Sequence, residues 1–243
     1  MLKRDRAVIL GVPVDNVTEK EALAKIEAFI EKGQPHQVVT VNPEFMVAAQ
    51  SDANFFQVLK EADLSLPDGA GLLWAARFLG RPLSERVAGV DMVRKIASLA
   101  AERGYRLFLL GAAEGVAEAT AMRLEEENPG LKVAGTYGGS PDPKEEEKIV
   151  EMIREARPQL LLVAYGAPQQ DLWIHRNLGR LEVPAVMGVG GAFDFISGKA
   201  KRAPGWMQRL GLEWLHRLLH EPWRWRRMLA LPKFVWLVLT SAR

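Results

Sequence analysis

Cysteine is absent from the 243 residues, which excludes disulfides, thiolate zinc sites, iron–sulfur clusters and a cysteine nucleophile. That absence fits a reducing cytoplasm, and it leaves catalysis to oxygen and nitrogen groups. Long apolar runs are also missing. The longest near the C-terminus, Met228 to Thr240, contains Pro232 and Lys233 and falls short of the roughly 18 to 20 residues that a bilayer span requires. At the N-terminus the run Ala7 to Val14 is interrupted by Gly11 and Pro13 and lacks a small-residue cleavage site, so it reads as a first strand, not a signal peptide. There is no Asp-x-Asp, the usual manganese-binding signature of metal-dependent sugar-nucleotide transferases, and His216 with His220 lacks the glutamate of His-Glu-x-x-His. No metal is therefore expected. A G-x-G-x-x-G fingerprint, a Walker loop and a G-x-S-x-G elbow are missing as well, which argues against a dinucleotide-dependent oxidoreductase and a serine hydrolase.

What is present is an ordinary globular composition, 48% hydrophobic and 26% charged, enough for one full core or two small ones. The net charge of +2 hides a division. Residues 199–243 hold ten Lys and Arg against Glu213 and Glu221, a net +8, while the remainder carries 22 basic and 28 acidic residues, a net −6. Five of the seven tryptophans, Trp206, Trp214, Trp223, Trp225 and Trp236, lie in the same last stretch. An acidic body with a basic, Trp-rich tail predicts two surfaces with different partners.

From residue 7 to about residue 195, short β-branched or apolar runs alternate with helical patterns, as in a parallel sheet with helices on its faces. The strand candidates are Ala7–Val14, Gln37–Val41, Arg106–Leu110, Val133–Tyr137, Leu160–Tyr165 and Ala185–Val189. Thr18 with Glu21 has capping-box spacing, and Asn42 precedes Pro43 at a first helical position. Pro141 and Pro143 open a charged helix, Lys144 to Arg157. The fold expected is α/β, a mainly parallel Rossmann-like sheet with flanking helices and a C-terminal basic helical appendage. Gly198 to Gly205 is the boundary, dividing 1–198 from 199–243.

In such a sheet the ligand crevice lies outside the carboxyl ends of the strands. Thr40 and Asn42 end one strand candidate, and Asn42 also reads as a plain N-cap. Asp68, between Pro67 and Gly69, reads either as a turn residue capping the next helix or as a general base able to take a proton from a sugar hydroxyl. Arg86 offers a fork of donors for a diphosphate, or a surface ion pair with Glu85 or Asp91. Gly111 and the pair Gly190-Gly191 end two strands, where they would let a nucleotide approach the backbone or simply permit close packing. Gln169 and Gln170 open a helix after Pro168, where an amide can bond sugar hydroxyls or a uracil edge.

Five blocks carry a resemblance: Thr-Val-Asn-Pro-Glu (40–44), Leu-Pro-Asp-Gly-Ala-Gly-Leu-Leu-Trp-Ala (66–75), Arg-Val-Ala-Gly-Val-Asp (86–91), Gly-Ala-Pro-Gln-Gln-Asp (166–171) and Gly-Val-Gly-Gly-Ala-Phe-Asp-Phe-Ile-Ser-Gly (188–198). In this order, and with Arg-Ala-Pro (202–204) and the basic tail, the chain resembles the WecG/TagA/CpsF glycosyltransferases over essentially its whole length. It departs from them at Gln169 and Asp171, where Lys and Glu are commoner. The resemblance implies an inverting, metal-independent transferase moving N-acetylmannosamine from UDP to undecaprenyl-diphosphate-linked N-acetylglucosamine, in wall teichoic acid linkage-unit synthesis. Sister members use other UDP-sugars. Asp68 would be the catalytic base and Thr40 a second catalytic position, with Thr40, Asn42 and Gln170 shaping the sugar pocket and Arg86 near the reacting sugars or phosphates.

Without a metal, cationic side chains must stabilise the leaving diphosphate, and Arg217, Arg224 and Arg227 of the tail are the candidates. Interfacial tryptophans and arginines near anionic headgroups also suit docking on the cytoplasmic leaflet, where a polyprenyl acceptor resides. The expected partners are thus a UDP-sugar, a polyprenyl-linked acceptor lipid and an anionic membrane surface, for a cytoplasmic protein peripherally attached to the inner face of the membrane. Nucleic acid is not expected, since the acidic body opposes it. A homo-oligomer is left open, and the rival from another class is a non-catalytic adaptor at the membrane surface.

Overall fold

The computed structural model describes residues 5–241. The first elements are β1 (Arg6–Ile9) and β2 (Val12–Asp15), which pair antiparallel as a separate two-stranded sheet. This corrects the single strand expected over Ala7–Val14. Leu10 and Gly11 both take positive φ, 49° and 82°, the conformation that reverses a chain in a two-residue hairpin. The hairpin is anchored by buried Asp15, which pairs with Arg6 at 3.0 Å and accepts the Ser65 amide at 2.9 Å.

Helix α1 (Glu19–Lys32) starts with the expected capping box between Thr18 and Glu21. Then follow β3 (His36–Val41), α2 (Pro43–Ala49), α3 (Ala53–Glu61), β4 (Leu64–Pro67), α4 (Ala70–Phe78) and α5 (Gly89–Arg103). Next come β5 (Arg106–Gly111), α6 (Val116–Glu127), β6 (Lys132–Tyr137), α7 (Pro143–Ala156), β7 (Leu160–Ala164), α8 (Gln169–Leu181), β8 (Ala185–Gly188) and α9 (Ala192–Ile196). Strands β3 to β8 form one parallel sheet ordered β4-β3-β8-β7-β5-β6. The α/β expectation therefore holds, with one addition. Strand β4 is absent from the six candidates because it has four residues and ends in proline, which is tolerated at a sheet edge.

The central strands are buried on both faces, β7 along its whole length, as expected for a parallel sheet between helical layers. One core gathers α1, α5, α6 and α9; a second gathers the hairpin, α2, α3 and α4; a third packs α7 and α8. Helices α1, α5, α6 and α9 pack together on one face of the sheet and α2, α3, α7 and α8 on the other. A crevice opens at the carboxyl ends of β3, β4, β7 and β8.

The tail forms α10 (Gly205–Arg209), α11 (Glu213–His220), a short turn of 3₁₀ helix at Pro222–Arg224, α12 (Trp225–Met228) and α13 (Ala230–Ser241). Pro232 sits in the first turn of α13, where its missing N–H removes no helical bond. Phe234 and Val238 of α13 are fully buried in the same core as α2 and α4. The last helix thus shares its packing with the body, while Trp206, Trp223, Trp225 and Trp236 remain more than half exposed.

Candidate active site

The crevice is a cleft of about 730 Å³ lined by the ends of β3, β4, β7 and β8 and roofed by tail residues including Glu213, Trp214, Arg217 and Met228. Thr40, Asn42, Asp68, Arg86, Gln170, Gly190, Gly191, Arg217 and Arg227 all line it, although they come from eight separate places in the chain. The Arg224 side chain lies outside the described residues.

Asp68 follows β4 directly, and its amide donates to Val41 O at 2.8 Å, pinning the turn against β3. Helix α4 is capped by Gly69 with no side-chain bond, so Asp68 does not cap its own helix as the simple turn reading expected. Its Oδ2 instead accepts the Gly89 amide at 3.0 Å, the first residue of α5, where the helix dipole favours an anion. Oδ1 stands 3.7 Å from Arg86 Nη2. Burial raises the Asp68 pKa above the usual aspartate value, while Arg86 and the Gly89 amide oppose that rise and Glu213 adds to it. The side chain nonetheless keeps 27% exposure, toward the cleft. A carboxylate poised in this way can accept a proton.

The geometry around Asp68 is tight. Gly89 lies between two groups: a Cβ there would meet Thr40 Cγ2 at 3.4 Å and Asp68 Oδ2 at 3.5 Å. Thr40 is buried, and its hydroxyl donates to Gly188 O at 3.0 Å. The side chain thus ties β3 to β8 and turns its methyl group toward the Asp68 turn. Asn42 caps α2 as expected, accepting the Phe45 amide at 3.1 Å.

Arg86 does not form either surface pair considered for it. Glu85 accepts the Glu19 amide, and Asp91 is held by the Arg202 fork, Nη2 to Oδ2 at 2.6 Å. The partner of Arg86 is Glu213 of α11, Nη2 to Oε2 at 2.5 Å, a contact across 127 positions. Neither Glu213 nor Arg202 is among the site residues expected from the sequence. Glu213's only sequence signal is that it is one of two acids in a strongly basic tail.

Gln170 is fully buried. Its Oε1 accepts the amides of Gly166 at 3.2 Å and Gly190 at 3.0 Å, joining the loops after β7 and β8. It shapes the cleft by fixing two backbones. Beside it, buried Asp171 is pushed by desolvation up to about 7, so the carboxyl is largely neutral below that pH. A Cβ on Gly188 would lie 2.6 Å from both Asp171 Oδ1 and Gln170 Nε2, so only glycine admits this pair to the sheet.

Gly111 stands apart from the other site candidates. It is not among the cleft-lining residues; with φ of 99°, a Cβ there would meet the Ala164 carbonyl carbon at 2.9 Å. Of the two readings, the close packing of β5 on β7 is the one this geometry carries. Gly190 and Gly191 do reach the cleft, and a Cβ on Gly191 would lie 3.0 Å from both terminal nitrogens of Arg217. Arg217 also covers the Phe195 ring at 4.9 Å and bonds Glu221 at 3.2 Å. Arg227 stands at the rim, paired with Glu44 at 2.7 Å. Among the described residues, no three His, Asp or Glu side chains are grouped to hold a metal ion, and no helix is long and apolar enough to cross a membrane.

Residues 7–243 match the model of the glycosyl transferase WecG/TagA/CpsF family. An N-acetylglucosaminyldiphosphoundecaprenol N-acetyl-beta-D-mannosaminyltransferase of Bacillus subtilis (strain 168) is 38% identical over 206 residues, 85% of this chain and 80% of that one. The enzyme of the same name from Bacillus spizizenii is 36% identical, over 88% of this chain and 83% of that one. The one from Staphylococcus aureus (strain MW2) is 30% identical over 97% of this chain and 92% of that one. With matching blocks folded into one cleft from one end of the chain to the other, this protein belongs to the glycosyl transferase WecG/TagA/CpsF family.

Proposed function

We propose that the protein transfers N-acetylmannosamine from UDP to N-acetylglucosamine carried on undecaprenyl diphosphate, with inversion and without a metal. The observation that carries this reading is the Asp68 carboxylate, which among the cleft's acidic side chains is the one held by the Gly89 amide at Oδ2, with Oδ1 3.7 Å from Arg86 and, among the described residues, in no hydrogen bond. Inversion needs one base on the acceptor side. The acceptor hydroxyl attacks the anomeric carbon, its proton passes to Asp68 Oδ1, and the bond from that carbon to the diphosphate oxygen breaks to release UDP.

Arg217, lying against Gly191, supplies positive charge and fork geometry to the departing diphosphate. The relatives' names support the donor sugar and the lipid acceptor. The apolar tail side of the cleft, with Trp214, Met228, Leu231 and Val235, suits a polyprenyl group. Turnover of a panel of UDP-sugars against a short-chain polyprenyl-diphosphate N-acetylglucosamine acceptor, with EDTA present, tests the reading. UDP-N-acetylmannosamine is expected to be the best donor at an unchanged rate in EDTA; abolition by EDTA refutes the metal-free mechanism, and preference for another sugar reassigns the substrate.

The same reading places the protein on the inner face of the cell membrane. Support comes from Trp206, Trp223, Trp225 and Trp236, exposed at 55%, 73%, 53% and 62%, which suit the water–lipid interface. Deleting the tail is a poor test, because it would strip Phe234 and Val238 from the core. Changing Trp223 and Trp225 together to Ser leaves the core intact. This variant should sediment with anionic vesicles at least several-fold less than the unmodified chain; equal sedimentation removes the docking role.

A further inference from the structure

Five charged side chains form one chain of contacts from the base to the tail: Asp68, Arg86, Glu213, Arg202 and Asp91. A single nitrogen, Arg86 Nη2, stands between two carboxylates, 2.5 Å from Glu213 Oε2 and 3.7 Å from Asp68 Oδ1. Glu213 is itself fixed from the other side, its Oε1 accepting from Arg202 Nε at 3.2 Å. Arg202 in turn is locked by its fork on Asp91. Both oxygens of the tail glutamate are thereby committed, and all of these side chains are largely shielded from solvent.

We propose that Glu213 is a positioning residue for the transfer: it holds the Arg86 guanidinium off Asp68, leaving the Asp68 Oδ1 free to take the acceptor proton. The inference rests on the reading of Asp68 as the base. Without Glu213, Arg86 loses its 2.5 Å partner on the side away from Asp68, and a guanidinium 3.7 Å from a carboxylate can close to a direct pair. Such a pair would occupy the lone pair that the acceptor proton needs and would make Asp68 a weaker base. A tail residue would therefore set the basicity of a group on the body, so the cleft carries its full activity only with α11 seated.

The charged groups facing this cluster are few. Asp68 meets Arg86, Glu213 and Asp91; Asp91 meets Arg202, Arg86 and Arg94; on α11 itself Arg217 is turned to Glu221 and Asp194. Of these, Glu213 and Asp91 raise the Asp68 pKa and Arg86 lowers it. Because kcat/KM reports the ionisations of the free enzyme, its acid limb reads Asp68 in this arrangement.

The test is the pH profile of kcat/KM for the full chain and for Glu213→Gln, Glu213→Ala, Glu213→Asp and Asp68→Asn. Glu213→Gln keeps the shape and loses the charge. Its acid limb should move to lower pH by on the order of half a unit, with a several-fold lower plateau. Glu213→Ala should do the same, so either folded variant suffices, while Glu213→Asp should keep the limb where the unmodified chain has it. An unmoved limb in Glu213→Gln and Glu213→Ala, or an equal shift in Glu213→Asp, overturns the role of Glu213. If Asp68→Asn abolishes turnover in that case, only this inference falls; if Asp68→Asn turns over normally, the base assignment falls and takes the inference with it.

Discussion

Asp68→Asn is expected to lower kcat by about 10²- to 10⁴-fold while UDP-sugar affinity stays within a few-fold of the unmodified chain. Asparagine preserves the shape and can still accept the Gly89 amide that now meets Oδ2 at 3.0 Å, so the α5 N-terminus stays in place. What it cannot do is take a proton. The loss must therefore fall on turnover and not on ground-state binding, which calorimetry of UDP binding alongside steady-state rates will separate. A pH signature accompanies it. Burial raises the Asp68 pKa, and the base works only when ionised, so activity should fall with acidification through a range above that of an ordinary aspartate. In the asparagine variant that limb should vanish. An adaptor without catalysis predicts no effect on function from this substitution, and retained turnover would contradict the base assignment.

Arg217→Ala should cost about 10²- to 10³-fold in kcat, the scale seen when one preorganised donor to a developing charge is removed. Its guanidinium is poised over the Gly191 backbone and stacked on Phe195, which fixes the planar fork. Lysine keeps the charge and loses that fork, so Arg217→Lys should recover only part of the loss. A graded control comes from Gly191. Its φ is −82°, a conformation alanine adopts freely, yet the added methyl would lie 3.0 Å from both Arg217 terminal nitrogens. Gly191→Ala should displace the guanidinium by a few tenths of an ångström and lower kcat by less than Arg217→Ala does. Steady-state rates of the three variants check the order; equal rates for Arg217→Ala and the unmodified chain would remove the arginine from the chemistry.

Much of this architecture is legible in the sequence because the dominant signal is strong. Buried parallel strands such as β7, Leu-Leu-Leu-Val-Ala, are uninterrupted apolar runs, and the caps at Thr18 and Asn42 are formed by side chains within three residues of the amides they meet. Local patterns fail where a tertiary contact decides. Ala7–Val14 looks continuous, yet Leu10 and Gly11 reverse it. Gly111 is open in the sequence to nucleotide approach or to close packing, and only the neighbouring β7 backbone, 2.9 Å from a Cβ placed there, shows the packing.

The site divides in the same way. Thr40 and Asn42 end a strand candidate and are located by that rule, whereas Asp68 is legible only from its place between Pro67 and Gly69, because β4 is not among the strand candidates. Gln170 follows a strand end as well, but a strand-end amide carries no sign that its oxygen is used by two glycine amides from inside. Glu213 is not legible in the sequence, because its partner lies 127 residues earlier and nothing in the helical spacing of α11 distinguishes an ion-paired acid from a solvated one. Periodicity reads burial; it does not read which charge a buried fork has found.

The most direct test of a single displacement by one carboxylate is the anomeric configuration of the first product formed from an α-linked UDP-sugar in the presence of EDTA, read by NMR. One base and no covalent sugar–enzyme bond predict the β-linked disaccharide lipid, the configuration in the relatives' names. An α-linked product would mean two displacements or a front-side route, and Asp68 would then have another task.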